Sequence, residues 1–365
     1  MTSSADWLTR RGAGVGLAVL TAAITGGLAV IFSISMDLPL RDPDGFLGPS
    51  WTRLPLILFL FMAADLVPRM IARLRRSTGT RSIRAARQAL VEVFTERWPT
   101  RRLVVVLIAL SSFYVTYVGY RNLKSFLPFA RRQSEDLSLR GTDSFLFFGA
   151  NPAEVLHNLL GVGVSAYVLS WVYISFLFFV PLSLAAFLVW SRDVSLGLWY
   201  TTALCLNWAL GTLSYYLLPA LGPFAKRSWD FAHLPDTGVS SLQQGMLNAR
   251  ERVLADPHAT SSVQSIAAFA SLHTSIVFTA ALIVHFAGLP RVVRVSMWIF
   301  LALTLVSTIY FGWHYIIDDI AGLVIGATSV ALARVATRHA DRHHPPDLPT
   351  VVPATTIGAN PQPTP

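Results

Sequence analysis

Charge is scarce in this sequence. Only 13% of its 365 residues are Asp, Glu, Lys or Arg, against about 25% in soluble domains, which excludes an ordinary water-soluble globule. Cysteine is scarcer still. Cys205 stands alone, so neither an intrachain disulfide nor a thiolate metal site can form within the chain. It lies inside an apolar run and reads as inert packing. The chain has no internal repeat and no glycine-rich nucleotide-binding loop. What is abundant is apolar: 53% of residues are hydrophobic and the mean hydropathy is +0.52. The class is therefore an all-helical polytopic membrane protein. A net charge of +9 invites a nucleic-acid reading. The arginines, however, cluster between apolar runs, as they do in cytoplasmic loops facing anionic lipid. The expected partner is a membrane, with no nucleic acid.

Apolar runs near the roughly 20 residues that span a bilayer lie at 13–35, 54–67, 103–120, 165–190, 196–218, 266–287, 292–311 and 315–336. They predict eight spans, or seven if the short second run is re-entrant. The first run follows Arg10-Arg11 and is too long for a signal-peptide core, so it reads as a retained span. Arginine is dense from 69 to 102, and Arg291, Arg294, Arg334 and Arg338 flank later turns. Placing these inside puts both termini in the cytoplasm of a cell-membrane protein. The division that follows has two amino-terminal spans and a basic interfacial helix in 1–102, a membrane domain in 103–338, and a proline-rich, disordered tail in 339–365.

Several polar residues have ordinary readings. Asp65 pairs with Arg69 one turn on. Between Arg81 and Trp98, apolar residues at helical spacing among arginines predict an interfacial helix. Asn151-Pro152-Ala153-Glu154 is a helix start, with Asn as cap and Pro at the first helical position. The aromatic stretch from Phe145 to Phe148 either borders a lipid entry or packs on the fourth span. His157 and Asn207 read as packing residues, and His343-His344 in the tail as inert.

The chemistry concentrates at the mouths of two apolar runs. His314 and Asp318 are four apart, on one face of a helix and close enough to hydrogen-bond. A carboxylate on one imidazole nitrogen fixes the tautomer and frees the other as nucleophile or base. His273 lies in Ala270-Ser271-Leu272-His273-Thr274-Ser275, at matching depth. Lys124 and Arg131 follow the third run, one a point charge and one a bidentate fork suited to phosphate oxygens. As juxtamembrane cations they would also bind headgroups. Ser271 opens the sixth run, either as an anion-binding hydroxyl or as a simple helix cap. The charge-derived topology brings Lys124, Arg131, His273, His314 and Asp318 together on the outer face. This set suits phosphoryl transfer through a phosphohistidine.

In these residues the chain resembles the type 2 phosphatidic acid phosphatase superfamily, whose signatures read K-x6-R-P, P-S-G-H and S-R-x5-H-x3-D. Lys124 and Arg131 have the first spacing, with Arg132 in place of proline. Ser271 and His273 match the second, with Ala270 for Pro and Leu272 for Gly. Ser307, His314 and Asp318 match the third, with Thr308 where arginine is expected. These departures, with Gly312-x-His314-Tyr315 and Leu218-Pro219-x-x-Gly222-Pro223, are more similar to the inositol phosphorylceramide synthase branch. The resemblance covers about 120–322 and implies a six-helix catalytic core carrying two extra amino-terminal helices. It further implies that His314 attacks phosphorus, Asp318 orients it, His273 protonates the leaving alkoxide, and Lys124, Arg131 and Ser271 hold the phosphate. Lys226 or Arg227, on the long loop after the fifth span, would supply the charge that Thr308 lacks. No metal and no cofactor are implied, because the cations and histidines cover those roles. The expected activity is transfer of phosphate from a lipid-linked donor to an alcohol acceptor. The alternatives are lipid phosphate hydrolysis with the same residues, and a lipid-binding protein without the reaction.

Overall fold

A computed structural model describes residues 13–76 and 82–341, and among them the chain is helical with no strand. Four long helices open it: α1 (Ala13–Met36), α2 (Ser50–Arg76), α3 (Ile83–Arg97) and α4 (Thr100–Ala130). Two short helices, α5 (Asp136–Leu146) and α6 (Pro152–Leu160), lead into α7 (Val164–Leu184), whose last turns loosen into a π-helical segment, Ala185–Trp190. Then come α8 (Val194–Leu217), α9 (Gly238–Ala255), α10 (Leu272–Phe286), α11 (Arg291–Tyr310) and α12 (Ile316–Asp341). Six of these helices are long and apolar enough to cross a membrane: α1, α2, α4, α7 with its π segment, α11 and α12. The shorter α10 is apolar too, and α8 forms the middle of the bundle. The chain is an integral membrane protein. The tail after 341, with His343 and His344, and the amino-terminal Arg10-Arg11 lie outside the described residues.

Helix α8 is central because both of its faces find apolar partners. Tyr200, Ala203 and Leu204 are fully buried, and with Trp208 they pack against Ile276, Val277 and Ala280 of α10. Asp193 caps its start, accepting from the amides of Ser195 (2.9 Å) and Leu196 (3.2 Å). Helix α1, which the sequence reading sets outside the core, lies along α4 and also meets α8 and α12. Gly119 makes that approach close: a Cβ there would stand 2.9 Å from the Thr25 carbonyl oxygen. Small residues let helix backbones draw together in this way where lipid provides no hydrophobic drive.

Two run boundaries differ from expectation. The second run extends to the 27-residue α2, which passes through Pro55 and Pro68. The sixth run becomes helical only at Leu272. Its first part is held extended because its backbone groups are satisfied sideways. The Gln264 side chain accepts from the Ile266 amide (2.6 Å) and donates to the Lys124 carbonyl (2.9 Å), and the Ala268 amide donates to the Ala220 carbonyl (2.8 Å).

At the arginine-rich end, Asp65 is almost wholly buried and accepts from Arg69 Nε (3.1 Å), Arg97 Nε (3.0 Å) and Trp98 Nε1 (3.3 Å). It joins α2 to α3, and Arg97 continues to the Trp190 and Ser191 carbonyls. Ser82 caps α3, whose Ala89 and Val93 turn inward while Val91 stays exposed. Asp65→Asn should leave Arg97 buried without its counter-charge, at a cost of about 3–5 kcal/mol. Thermal unfolding in detergent measures that loss, and a melting point equal to wild type would show that the cluster does not hold this end together.

Candidate active site

At the opposite end of the bundle the starts of α10 and α12 meet. They meet because α12 carries Gly322 and Gly326 on one face. A Cβ at Gly326 would stand 2.8 Å from the Ser275 carbonyl oxygen, and one at Gly322 would collide with that of Ser271. The backbones join directly as well, the Ser271 amide donating to the Asp318 carbonyl (3.0 Å). Two motifs distant in sequence are thereby fixed side by side.

His273 sits in the first turn of α10, its ring 4.7 Å from Tyr173, 4.3 Å from Phe176 and 5.9 Å from His314 between centroids. Tyr173 in turn stacks on Trp313 at 4.9 Å, nearly parallel. His314 is buried, on the short turn between α11 and α12, with Nδ1 3.4 Å from Asp318 Oδ2. Neither His314 Nδ1 nor Asp318 Oδ1 has a hydrogen-bond partner. The pair is thus at ion-pair distance, short of a closed hydrogen bond. Asp318 Oδ2 also accepts from the Tyr315 amide (2.9 Å), which orients the carboxylate.

Lys124 is buried on α4 with Nζ 3.3 Å from the Tyr120 hydroxyl and 4.6 Å from the centre of the Tyr215 ring. It lies close enough for its charge to reach both His273 and His314. Arg131 does not accompany it. Helix α4 ends at Ala130, Arg131 takes an extended conformation, and its Nη1 donates to the Tyr216 carbonyl (2.8 Å). Ser271 is wholly buried and is the cap of α10, accepting from the Thr274 amide (3.4 Å). Arg227 folds back on Asp230 (2.8 Å), and Lys226 lines a different cavity together with Arg131. The structure thus gathers Lys124, His273, His314 and Asp318, with Ser271 beneath them, and sets Arg131, Lys226 and Arg227 apart.

Thr308, at the arginine position of the third signature, donates to Asp319 Oδ2 (3.0 Å), whose Oδ1 accepts from Thr274 Oγ1 (2.6 Å). Sequence reasoning missed Asp319. Its signal was the doubled acid at the start of a helix, one residue past the expected one. It ties α10, α11 and α12 together beneath the histidines. Two further acids, Asp136 and Asp143 of α5, clamp the same turn from outside. Asp143 accepts from the amides of Ile316 (3.0 Å) and Ile317 (3.4 Å), capping α12 from a neighbouring helix. Burial pushes the Asp143 carboxyl up, and those two amides oppose the shift. Asp136 accepts from the amides of Leu221 (2.9 Å) and Gly222 (2.9 Å) and from the Tyr315 hydroxyl (3.2 Å).

Residues 138–332, more than half of the chain, match the family model described as PAP2 superfamily. The chain belongs to the PAP2 superfamily. No curated protein and no solved structure matches it. The PAP2 match covers both histidines and Asp318 but begins after Lys124 and Arg131. Membership supports a phosphatase- or phosphotransferase-type activity on lipid phosphates in membranes, and the all-helical bundle is the matching architecture. His157 and Asn207 are packing residues in this PAP2 fold. His157 Nε2 lies 2.8 Å from the Tyr310 carbonyl, and burial pushes its imidazole below the ordinary value. Asn207 donates to Thr279 (2.9 Å) and meets Ser275. Phe145 and Phe148 of the aromatic stretch are exposed rather than packed on α7.

Proposed function

We propose that this protein transfers phosphate from a lipid-linked donor through a phosphohistidine on His314. The observation that carries the reading is the convergence of His314, Asp318, His273 and Lys124 at one end of the bundle. A phosphate ester between the two imidazoles meets a nucleophile on one side and a proton donor on the other. As the His314–phosphorus bond forms, the phosphorus–oxygen bond to the leaving group breaks, and His273 gives its proton to the departing alkoxide. Asp318 holds His314 and balances the charge that grows on its ring. Lys124 neutralises nonbridging oxygens in a low-dielectric site, where such stabilisation is large. An acceptor alcohol then takes the phosphoryl group, as in the inositol phosphorylceramide synthase branch that the Gly312-x-His314-Tyr315 and Leu218-Pro219-x-x-Gly222-Pro223 segments resemble.

The site would face the extracytoplasmic side of the cell membrane, with both termini in the cytoplasm. This orientation is supported by the arginines of α2, α3 and the start of α4, which lie at the end of the bundle opposite the histidines and favour the inner face. The test is a rapid quench with ³²P-labelled lipid phosphates, followed by product identification with and without added alcohols. Label on the protein that survives alkali but not acid is expected, and it should be absent from His314→Ala. Phosphate transfer to the alcohol supports the transferase; release to water alone would make the enzyme a phosphatase. Absence of both label and turnover across phospholipid and polyprenyl phosphates would leave a lipid-binding protein.

A further inference from the structure

A cavity of about 100 Å³ is bounded by the end of α4 and the residues after it, Pro219 to Leu221, Lys226, Ile266 and Arg250 of α9. A buried water needs roughly 10–15 Å³ by the same measure, so the space takes a group of phosphate size. Four cations line it, Arg131, Arg132, Lys226 and Arg250, and no carboxylate does. None of the four forms an ion pair among the described residues, and Arg131 spends one N–H on the Tyr216 carbonyl. Asp136 attracts Arg250 through its charge without an ion pair, and its oxygens are taken by two amides and the Tyr315 hydroxyl. Arg250 is half-buried, and burial pushes its guanidinium below the ordinary value. Four like charges brought from three separate segments repel one another, and an anion is what relieves them.

The cavity is not the histidine cleft. Its wall residue Ala220 accepts from the Ala268 amide (2.8 Å), and none of His273, His314, Asp318 and Lys124 lines it. Lys226 and Arg250 lie outside all three sequence signatures, and Arg132 stands where the first has proline.

We propose that the cavity of Arg131, Arg132, Lys226 and Arg250 is a second anion site that binds a phosphate group, separate from the site at His314. The phosphate comes either from a lipid headgroup or from solution, since arginine forks recognise both alike. The site does not depend on the phosphohistidine reading, and its test reads binding rather than turnover.

Detergent-solubilised protein is titrated with inorganic phosphate by calorimetry. Two binding events are expected. The exposed double variant Arg132→Gln/Lys226→Gln and the single variant Arg250→Gln should each weaken one of them, by about tenfold per cation removed. Lys124→Gln should weaken the other. For the headgroup source, the same proteins are melted in nanodiscs of phosphatidylcholine with or without phosphatidic acid. Stabilisation of wild type by phosphatidic acid that the double variant loses assigns the site to headgroups. Its absence alongside the two calorimetric events assigns it to free phosphate. A single phosphate event without lipid stabilisation overturns the proposal, as does a second event or a lipid effect indifferent to both basic variants. A loss of label at His314 would leave these binding results standing, so the two readings fail separately.

Discussion

His314→Ala is expected to abolish turnover on every phosphate ester offered, whereas His273→Ala should lose about 10²–10⁴ and regain much of it on an activated ester. The difference follows from what each ring does. Without the nucleophile no covalent route exists, whatever the leaving group. Without the proton donor, a leaving group acidic enough to depart as an anion needs no help. A nitrophenyl phosphate, whose leaving group departs as an anion, makes the comparison. Asp318→Asn should fall between the two, because it keeps the contact 3.4 Å from His314 Nδ1 but favours the wrong tautomer. The measurement is the ratio of variant to wild-type rate on a poor and a good leaving group. Rescue of His314→Ala rather than His273→Ala would reverse the assigned roles. Full activity in both variants would end the enzyme reading.

Gly222→Ala should be strongly damaging for a single added methyl. Gly222 has φ 89° and ψ 162°, a conformation essentially reserved for glycine and worth about 1–3 kcal/mol of strain in other residues. A Cβ there would also run into the Trp313 carbonyl oxygen. The neighbouring Phe224 amide donates to the Gly312 carbonyl (2.8 Å), so the turn cannot move without dragging the segment that carries His314. A displacement of about 1 Å at a reacting group costs about 10² in rate. The variant should therefore melt earlier and turn over about a hundredfold more slowly. Gly149→Ala is the control: its φ is also positive, at 91°, but a Cβ there meets open space. Its turnover should match wild type. Equal losses in the two variants would show that strain alone, and not the push on Trp313, is responsible.

The parts of this protein legible in sequence are those written in local spacing. Helix α3 could be found because apolar residues recur at helical intervals among arginines between Arg81 and Trp98, and α6 because Asn151 and Pro152 mark its start. His314 and Asp318 were found by their i,i+4 relation, and Asp65 was correctly read as the partner of Arg69. What the spacing hid was long-range. Lys124 and Arg131 share a helical face only while the helix lasts, and it ends at Ala130, so the two cations part. The acids of α5 went unread because the amides they cap lie more than 80 residues away along the chain. Asp319 was missed for the same reason, despite the doubled acid, because Thr274 and Thr308 come from two other helices.

The glycine seam between α10 and α12 bears on how freely the signatures can drift. The two half-sites are held by backbone against backbone, at Gly322, at Gly326 and at the Ser271–Asp318 hydrogen bond. Little of that clasp depends on which side chains stand at 270 and 272. Ala270 and Leu272 can therefore replace the proline and glycine of the second signature while His273 keeps its place opposite His314. A motif search that weights every letter equally undervalues such a chain. The two glycines near the middle of its last helix would be the better place to look for distant relatives.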